Sequence, residues 1–445
     1  MNVARINFSH ADHETHGRAI QAIRDVAASL KQPIAILADL QGPKIRVGVL
    51  PEPLVLRAGD TVTFAPEGDH VGEEIPTTYA DLAADLQTGD VVLLADGLME
   101  LIVTVSTPPR VEMQVIHGGI LTSNKGINLP GVRMSVPSLT EKDLRDLEFA
   151  LAANVDYIAL SFVREAEDVL DLTRRIPADG PPVVVKIEKG MALENLQAIM
   201  DVSAAVMVAR GDLGVELPFE QVPLAQKRMI HLANLSSRPV ITATQMLESM
   251  IENPRPTRAE ASDVANAIID GTDAVMLSAE TATGRFAVEA VKAMTRIADE
   301  IEASSLLDAG PHYDVPVEPV AARVMPTEWA VAAASVEAVR RLHAPLILTL
   351  TRSGVTARVV SAFRPPVPII AITDSPRTYN QLALVWGVIP VLCPPGSSYD
   401  DMLSYGRNTA VDLSLAQIGQ RVVLTAGLPL HATSGTTNTM RVVVL

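Results

Sequence analysis

Lys186 and Glu188 stand two residues apart at the end of a β-branched run, Val183-Val-Val-Lys-Ile-Glu188. Side chains at positions i and i+2 of a strand project from the same face, so an ammonium and a carboxylate would lie side by side. A second carboxylate, Asp212, follows the next apolar run. Carboxylates from neighbouring strands could hold one divalent cation, and Mg²⁺ prefers such oxygen ligands and often shares them with phosphate. The pattern predicts a magnesium site beside a lysine, although Lys-Ile-Glu alone is also typical of a solvated strand end.

Polar residues also follow the other apolar runs of this part of the chain. They are Asn7, Asp39, Ser161, Arg210, Thr244, Ser278 and Glu280. In β/α barrels the carboxyl ends of the strands form one rim, where active sites are built. Gly211 and Gly214 would let backbone N–H groups approach an anion closely, although an ordinary turn is the alternative. The pattern therefore places the predicted site on a single rim.

The elements that must carry these residues are short apolar runs alternating with segments of helical period. The runs are Val3–Phe8, Ile34–Asp39, Asp156–Phe162, Val183–Glu188, Ala204–Arg210, Val240–Gln245 and Ala274–Glu280. Such runs are typical of strands buried on both faces of a parallel sheet. Capping signals at Thr140 with Asp143 and at Thr257 with Glu260 predict helices between them. The pattern predicts an α/β fold, either a TIM-type β/α barrel or a doubly wound sheet; as a barrel it would hold seven of eight strands, with the first βα unit expected before Met1.

The alternation of apolar runs with helical segments is interrupted twice along the chain. Residues 45–136 contain alternating strand-like runs between Gly and Pro turns, which predicts a small β domain inserted into a barrel of residues 1–44 and 137–305. A Pro-rich stretch within 306–326 predicts a linker. Strand-like runs separated by helices within 327–445 predict a C-terminal α/β domain.

Composition narrows the class of partner. The chain has 445 residues, 36 Lys and Arg against 52 Asp and Glu, and a net charge of −16, so nucleic acid is not expected to bind. Its one cysteine, Cys393, excludes intramolecular disulfides and favours a buried side chain in a reducing, cytoplasmic compartment. The sequence has neither a long apolar run nor a secretory signal pattern, so no membrane association is expected.

Several motifs in fixed order resemble those of pyruvate kinase along nearly the whole chain. They are Asn2-Val-Ala-Arg-Ile-Asn-Phe-Ser-His10, Asp39-Leu-Gln-Gly-Pro-Lys-Ile-Arg46, Val185-Lys-Ile-Glu188, Met207-Val-Ala-Arg-Gly-Asp-Leu-Gly214, Ala243-Thr-Gln-Met-Leu-Glu-Ser-Met250, Pro254-Arg-Pro-Thr-Arg-Ala-Glu260 and Met276-Leu-Ser-Ala-Glu-Thr281. The resemblance implies transfer of the phosphoryl group of phosphoenolpyruvate to ADP, which gives ATP and the enolate of pyruvate. This phosphoryl transfer is the last step of glycolysis.

The resemblance also implies roles for single residues. Glu188 and Asp212 match ligands of Mg²⁺ or Mn²⁺, and Lys186 matches the lysine that faces the transferring phosphoryl group. Arg5 and Arg46 match phosphate-binding arginines. Gly211 and Asp212, through their backbone amides, and the Thr244 side chain match the site of the substrate carboxylate. Thr244 and Ser278 are candidates for the path that brings a proton to the enolate, through water.

One departure from the commoner family pattern concerns K⁺. Many members that need K⁺ have Thr and Glu where this chain has Leu40 and Lys44. The ion region of those members matches Asn7, Ser9 and Asp39. We expect that the Lys44 ammonium replaces the ion and that K⁺ is not required, with Lys44 as a surface residue as the alternative.

Outside the barrel, the resemblance implies a lid and an effector site. The inserted β domain matches the lid, with Asp96-Gly97 in its turn and Lys125 near the nucleotide. The C-terminal segment with Thr349, Thr351, Ser353, Gly354 and Thr356, and a second loop from Gly427 to Thr437, match the part that binds sugar-phosphate or nucleotide effectors. Ordinary capped turns are the alternative for both loops. The family is commonly a homotetramer, so a homo-oligomer is expected.

Two other functions fit parts of the pattern. A magnesium-dependent aldolase or lyase could use the same metal pair to stabilise a pyruvate enolate, but would need no lid. An inactive regulatory or assembly form is the other alternative, because a barrel without its first strand would expose strand edges.

Overall fold

A parallel sheet in chain order forms the first part of the molecule. The computed structural model describes residues 1–307, 326–429 and 437–445. Within residues 1–307 the seven barrel strands are Val3–Asn7, Ala35–Asp39, Tyr157–Leu160, Val183–Ile187, Ala205–Ala209, Val240–Ala243 and Ala274–Val275. Each strand pairs in parallel with the next one along the chain. A doubly wound sheet would reverse its strand order, so this order confirms the barrel prediction.

Helices follow most of these strands. In this region they are His13–Leu30, Glu141–Ala152, Ala166–Arg175, Gly190–Glu194, Leu196–Asp201, Arg210–Glu216, Val222–Leu235, Arg258–Ile269, Ala279–Ala282 and Ala287–Glu302, with 3₁₀ turns at Phe219–Gln221, Glu248–Ile251 and Ser305–Leu307. Both predicted capping boxes are confirmed, at Thr140 before Glu141–Ala152 and at Thr257 before Arg258–Ile269. None of the described helices is long and apolar enough to cross a membrane.

The inserted β domain is a mostly antiparallel sheet with its own core around Phe64, Leu101 and Met113. Its strands are Leu54–Leu56, Thr61–Pro66, Ile75–Thr77, Val91–Leu94, Met99–Thr107, Arg110–His117, Gly119–Leu121 and Ile127–Asn128, with one short helix at Leu82–Asp85. The strand-like runs predicted within residues 45–136 correspond to the longer of these strands. The two- and three-residue strands were not predicted, because runs this short carry no periodic signal.

The C-terminal α/β domain contains a further sheet. In the described residues its strands are Ile347–Leu350, Ile369–Thr373, Val388–Leu392, Arg421–Ala426 and Thr439–Val444, and its helices are Thr327–Leu342, Val355–Ala362, Pro376–Gln381 and Tyr399–Asp412, with a 3₁₀ turn at Leu382–Leu384. The last strand was not predicted; it pairs antiparallel with Arg421–Ala426. Cys393 is buried, as expected.

Leu384 joins the C-terminal domain to the barrel. This residue is 2% exposed and packs in one apolar cluster with Leu37, Val184 and Met207, which lie on the inner face of the barrel sheet. The hydroxyl of Tyr157, at the start of the third barrel strand, donates to the Gln381 carbonyl at 2.9 Å. The C-terminal domain therefore covers the end of the barrel where the strands begin.

Candidate active site

Alternation along the barrel strands places the polar residues inside the barrel. Val184 packs in the inner cluster, whereas Val185 and Ile187 pack against the surrounding helices. Because side chains alternate between the faces of a strand, Lys186 and Glu188 follow Val184 on the inner face. The inner face is thus apolar where the strands begin and polar where they end.

Lys186 is the centre of a hydrogen-bonded cluster at that polar end. Its Nζ lies 2.8 Å from Glu188 Oε1 and 3.3 Å from Asp39 Oδ1, and it donates to Ser161 Oγ at 2.8 Å. Arg5 Nε lies 2.6 Å from the other oxygen of Asp39. The Lys186 side chain is 12% exposed, and the two carboxylates are 1% exposed. The structure therefore brings Arg5, Asp39, Lys186 and Glu188 together, from three strands.

Burial and charge act in opposite directions on this cluster. Burial lowers the pKa of Lys186, but the charges of Asp39 and Glu188 outweigh it, so the pKa lies above its ordinary value and the amine stays protonated. Burial raises the pKa of Glu188; Lys186 lowers it and the negative charge of Asp212 raises it further, and the net shift is upward. The site thus combines the protonated Lys186 with the carboxylates of Glu188 and Asp212, which repel each other.

Asp212 lies in the first turn of the helix Arg210–Glu216 and lines a cleft with Lys44, Phe162 and Lys189. Glu188 Oε2 accepts the Phe162 N–H at 2.7 Å, which fixes the carboxylate. The negative charge of Asp212 raises the pKa of Glu188, so the two carboxylates lie close enough to repel each other. Mg²⁺ prefers oxygen ligands and would relieve this repulsion. The described residues contain no group of three His, Cys, Asp or Glu that could hold a metal, so its other ligands would be water and substrate oxygens.

Thr244 and Gly211 contact each other at the ends of the fifth and sixth barrel strands. Thr244 Oγ1 accepts the Gly211 N–H at 2.8 Å and donates to the Ala243 carbonyl at 2.6 Å. Thr244 has φ of 70°, which is rare for a β-branched residue and is found mainly at functional sites. The predicted pair is therefore brought together, with the Gly211 N–H directed at the threonine.

Ser278 is held by Glu280, which is 1% exposed. The two carboxylate oxygens of Glu280 accept the backbone N–H groups of Ser278 at 2.7 Å and of Leu247 at 3.1 Å. The carboxylate therefore joins the loops that follow the sixth and seventh barrel strands. Glu280 positions Ser278 through its backbone.

Arg46 and Lys44 lie outside the Lys186 cluster. Arg46 Nη1 donates to the Asn124 carbonyl at 2.9 Å in the inserted domain. Lys44 lines the cleft beside Asp212, and among the described residues it makes no hydrogen bond or ion pair with Asn7, Ser9 or Asp39. Asn7 Oδ1 accepts the Ser9 N–H at 3.1 Å. The structure therefore gathers Asn7, Ser9 and Asp39 near Arg5, with Lys44 on the side of the inserted domain.

The inserted domain approaches the barrel beside this cleft. A methyl group added to Gly97 would lie 3.8 Å from Val215 Cγ1, so the Asp96-Gly97 turn lies close to the helix that carries Asp212. Lys125 accepts the Val47 N–H through its carbonyl at 2.8 Å, which joins the first and last segments of the inserted domain.

The predicted effector loop follows the first strand of the C-terminal domain. Thr351 Oγ1 accepts the Gly354 N–H at 2.9 Å, and the Thr356 hydroxyl lies 2.7 Å from that of Thr437. Thr349, Thr351 and Thr356 are buried and Ser353 is half-buried. Most of the second predicted loop, residues 430–436 with Ser434, lies outside the described residues. The two loops thus meet at Thr356 and Thr437.

Lys189 and Glu216 are site residues that the sequence analysis missed. Lys189 follows Glu188 directly, and Glu216 stands four residues after Asp212 on the same helix. Residues i and i+4 of a helix lie on one face, which is a signal that could have identified Glu216.

The comparisons with known proteins agree over both parts of the chain. The family model of the pyruvate kinase barrel domain matches residues 1–291, and that of the pyruvate kinase alpha/beta domain matches residues 329–443. Pyruvate kinase 2 of Synechocystis sp. is 45% identical over 99% of this chain and 74% of that protein. Pyruvate kinase of Geobacillus stearothermophilus is 43% identical over 100% of this chain and 76% of that protein. The crystal structure of a pyruvate kinase from Cryptosporidium parvum gives a TM-score of 0.91 at 36% identity and covers 100% of this chain and 91% of that one.

Proposed function

The chain belongs to the pyruvate kinase family and transfers the phosphoryl group of phosphoenolpyruvate to ADP, and we propose that Lys186, Glu188 and Asp212 carry this reaction. The observation that supports the assignment is the position of Lys186 Nζ, 2.8 Å from Glu188 on the inner face of the barrel rim. The relatives reported above are named pyruvate kinases, not aldolases or lyases.

Glu188 and Asp212 would hold the divalent cation, Mg²⁺ or Mn²⁺, which when bound neutralises negative charge on the substrate oxygens. Lys186 keeps its proton and offers its N–H groups to the transferring phosphoryl oxygens. A preorganised donor of this kind contributes roughly 3–4 kcal/mol to the transition state. Arg5 adds a second fixed cation, held by Asp39. Arg46 would reach the phosphate from the side of the inserted domain.

Thr244, with the Gly211 and Asp212 amides, would bind the substrate carboxylate. The Thr244 and Ser278 hydroxyls would orient the water that delivers a proton to the enolate, because neither hydroxyl is a good acid at neutral pH. Glu280 keeps Ser278 in place through its backbone N–H. These roles make Lys186, Arg5, Thr244 and Ser278 the proposed catalytic residues.

We also propose that catalysis does not require K⁺. Lys44 lines the cleft beside Asp212, where its ammonium supplies a permanent charge. Adding K⁺ at constant ionic strength should then change the rate little. An increase of about tenfold or more would contradict the proposal.

The remaining assignments concern the other domains. We propose the division into a barrel (1–44 and 137–305), a lid (45–136), a linker (306–326) and an effector-binding domain (327–445), whose ligand is a sugar phosphate or a nucleotide. Closure of the lid would exclude water from the transferring group. A homotetramer and a cytoplasmic location stay predictions.

The assignment is tested by measuring the rate of ATP formation from phosphoenolpyruvate and ADP at increasing concentrations of Mg²⁺. Glu188→Gln keeps the shape of the side chain and removes a ligand charge, so we expect the rate to fall by about 100-fold and the Mg²⁺ requirement to rise. Glu14→Gln, on the exposed outer helix, is the matched control. A normal Mg²⁺ response in Glu188→Gln would refute the assignment of the metal site.

A further inference from the structure

A buried ion pair connects the two elements that carry the proposed metal ligands. Lys189 Nζ lies 2.5 Å from Glu216 Oε1, with side-chain exposures of 10% and 3%. Lys189 belongs to the segment after the fourth barrel strand, and Glu216 ends the helix after the fifth. Neither residue has a role in the reaction as described above.

Both members of the pair are adjacent to a metal ligand. Lys189 is the neighbour of Glu188 in the chain, and its ammonium lies 6.0 Å from the centre of the Phe162 ring. Phe162 is the residue whose N–H binds Glu188. Glu216 lies one helical turn after Asp212, so the two carboxylates share a face of the helix.

The pair also contacts the chain where it returns from the inserted domain. Gly131 lies near the Glu216 carboxylate, and its backbone N–H acts to lower the pKa of that carboxyl. Lys189 lines the same cleft as Asp212 and Lys44. One ion pair thus contacts the strand end, the helix and the connection to the lid.

We infer that Lys189 and Glu216 are positioning residues that set the separation of Glu188 and Asp212. The inference rests on the proposed metal site. Without a tie, the repulsion between Glu188 and Asp212 would drive the strand end and the helix apart. Residues that orient metal ligands usually change metal affinity by about 10–100-fold when they are replaced.

The test is the affinity for Mn²⁺ alone, measured on the full chain without substrate by electron paramagnetic resonance of the free ion. The double variant Lys189→Gln/Glu216→Gln removes the tie without changing the net charge, and we expect Mn²⁺ to bind about tenfold more weakly. Lys189→Arg keeps the ion pair and should bind Mn²⁺ within about threefold of the original chain. Unchanged affinity in the double variant would overturn the inference.

The single variant Lys189→Gln separates positioning from simple electrostatics. Removing a cation makes the site more negative, so Coulomb attraction alone predicts tighter Mn²⁺ binding. Loss of positioning predicts weaker binding, and tighter binding would overturn the inference. This variant also keeps the question decidable if the double variant does not fold.

Two controls identify the source of any change. Arg24→Met/Asp156→Asn removes the ion pair between half-buried Arg24 and buried Asp156 at the opposite end of the barrel, and should lower thermal stability while leaving Mn²⁺ affinity unchanged. Glu188→Gln removes a ligand charge and should weaken Mn²⁺ binding more than the double variant does. If Glu188→Gln binds Mn²⁺ normally, the assignment of the metal site is wrong. If Glu188→Gln binds weakly while the double variant and Lys189→Gln bind normally, the positioning role is wrong.

Discussion

Replacing Lys186 with methionine removes the ammonium from the centre of the site and keeps most of the side-chain volume. Lys186 Nζ lies 2.8 Å from Glu188, 3.3 Å from Asp39 and 2.8 Å from Ser161. Asp39 keeps Arg5 as a partner, whereas Glu188 keeps only the Phe162 N–H among the contacts described above. The variant therefore loses the charge that would face the transferring phosphoryl group.

The size of the effect follows from the role of one preorganised donor. Loss of such a donor costs roughly 3–4 kcal/mol, or about 10²–10³ in kcat. Formation of the pyruvate enolate depends more on the metal and carboxylate site, so exchange of the pyruvate methyl protons with solvent should fall much less. We expect Lys186→Met to separate these two activities.

The assay follows ATP formation and, in parallel, loss of the pyruvate methyl proton signal in D₂O with Mg²⁺ present. Lys292→Met, on an exposed position of the helix Ala287–Glu302, is the matched control and should change neither activity. Thermal unfolding of each variant shows whether it is folded at the assay temperature. Equal loss of both activities in a folded Lys186→Met would refute the reasoning and leave the lysine a structural role.

Three further perturbations test other parts of the structure. Lys44→Glu should make the rate depend on K⁺ by about tenfold or more, because a carboxylate in that cleft calls for a counter-ion; a K⁺-independent rate in the variant would contradict this. Leu384→Ala should lower the free energy of unfolding by about 2–5 kcal/mol, measured by urea denaturation, because it leaves a cavity in the inner barrel cluster. Burial raises the pKa of Glu260, but hydrogen bonds from Ser249 and Thr257 outweigh it and the net shift is downward from 4.5. A carboxyl whose pKa is lower in the folded chain than in the unfolded chain stabilises the fold at pH values above the unfolded pKa, and this stabilisation is lost as the pH falls. The difference in the free energy of unfolding between the original chain and Glu260→Gln should therefore shrink below about pH 4.5. A constant difference would exclude the effect.

The sequence predicted what depends on local pattern. Spacing by two residues placed Lys186 and Glu188 on one face, and capping residues located the helices after Thr140 and Thr257. Those signals lie within a few residues of one another, so a single sequence carries them.

Contacts between distant segments were not predicted. The ion pair of Lys189 with Glu216 and the insertion of Leu384 depend on the three-dimensional course of the barrel sheet, which periodicity does not encode. The hydrogen bond from Arg46 to the Asn124 carbonyl joins residues 78 positions apart within the inserted domain, and no local pattern predicts it. Two residues this far apart become neighbours only once the topology is fixed.

Because Leu384 packs inside the barrel, the barrel and the C-terminal domain share one apolar cluster. An expressed fragment of residues 1–307 would present Leu37, Val184 and Met207 to water at the uncovered end. Apolar side chains brought together in this way promote self-association. We therefore expect the catalytic half to aggregate when it is produced without its C-terminal neighbour, and co-expression of residues 326–445 to restore its solubility.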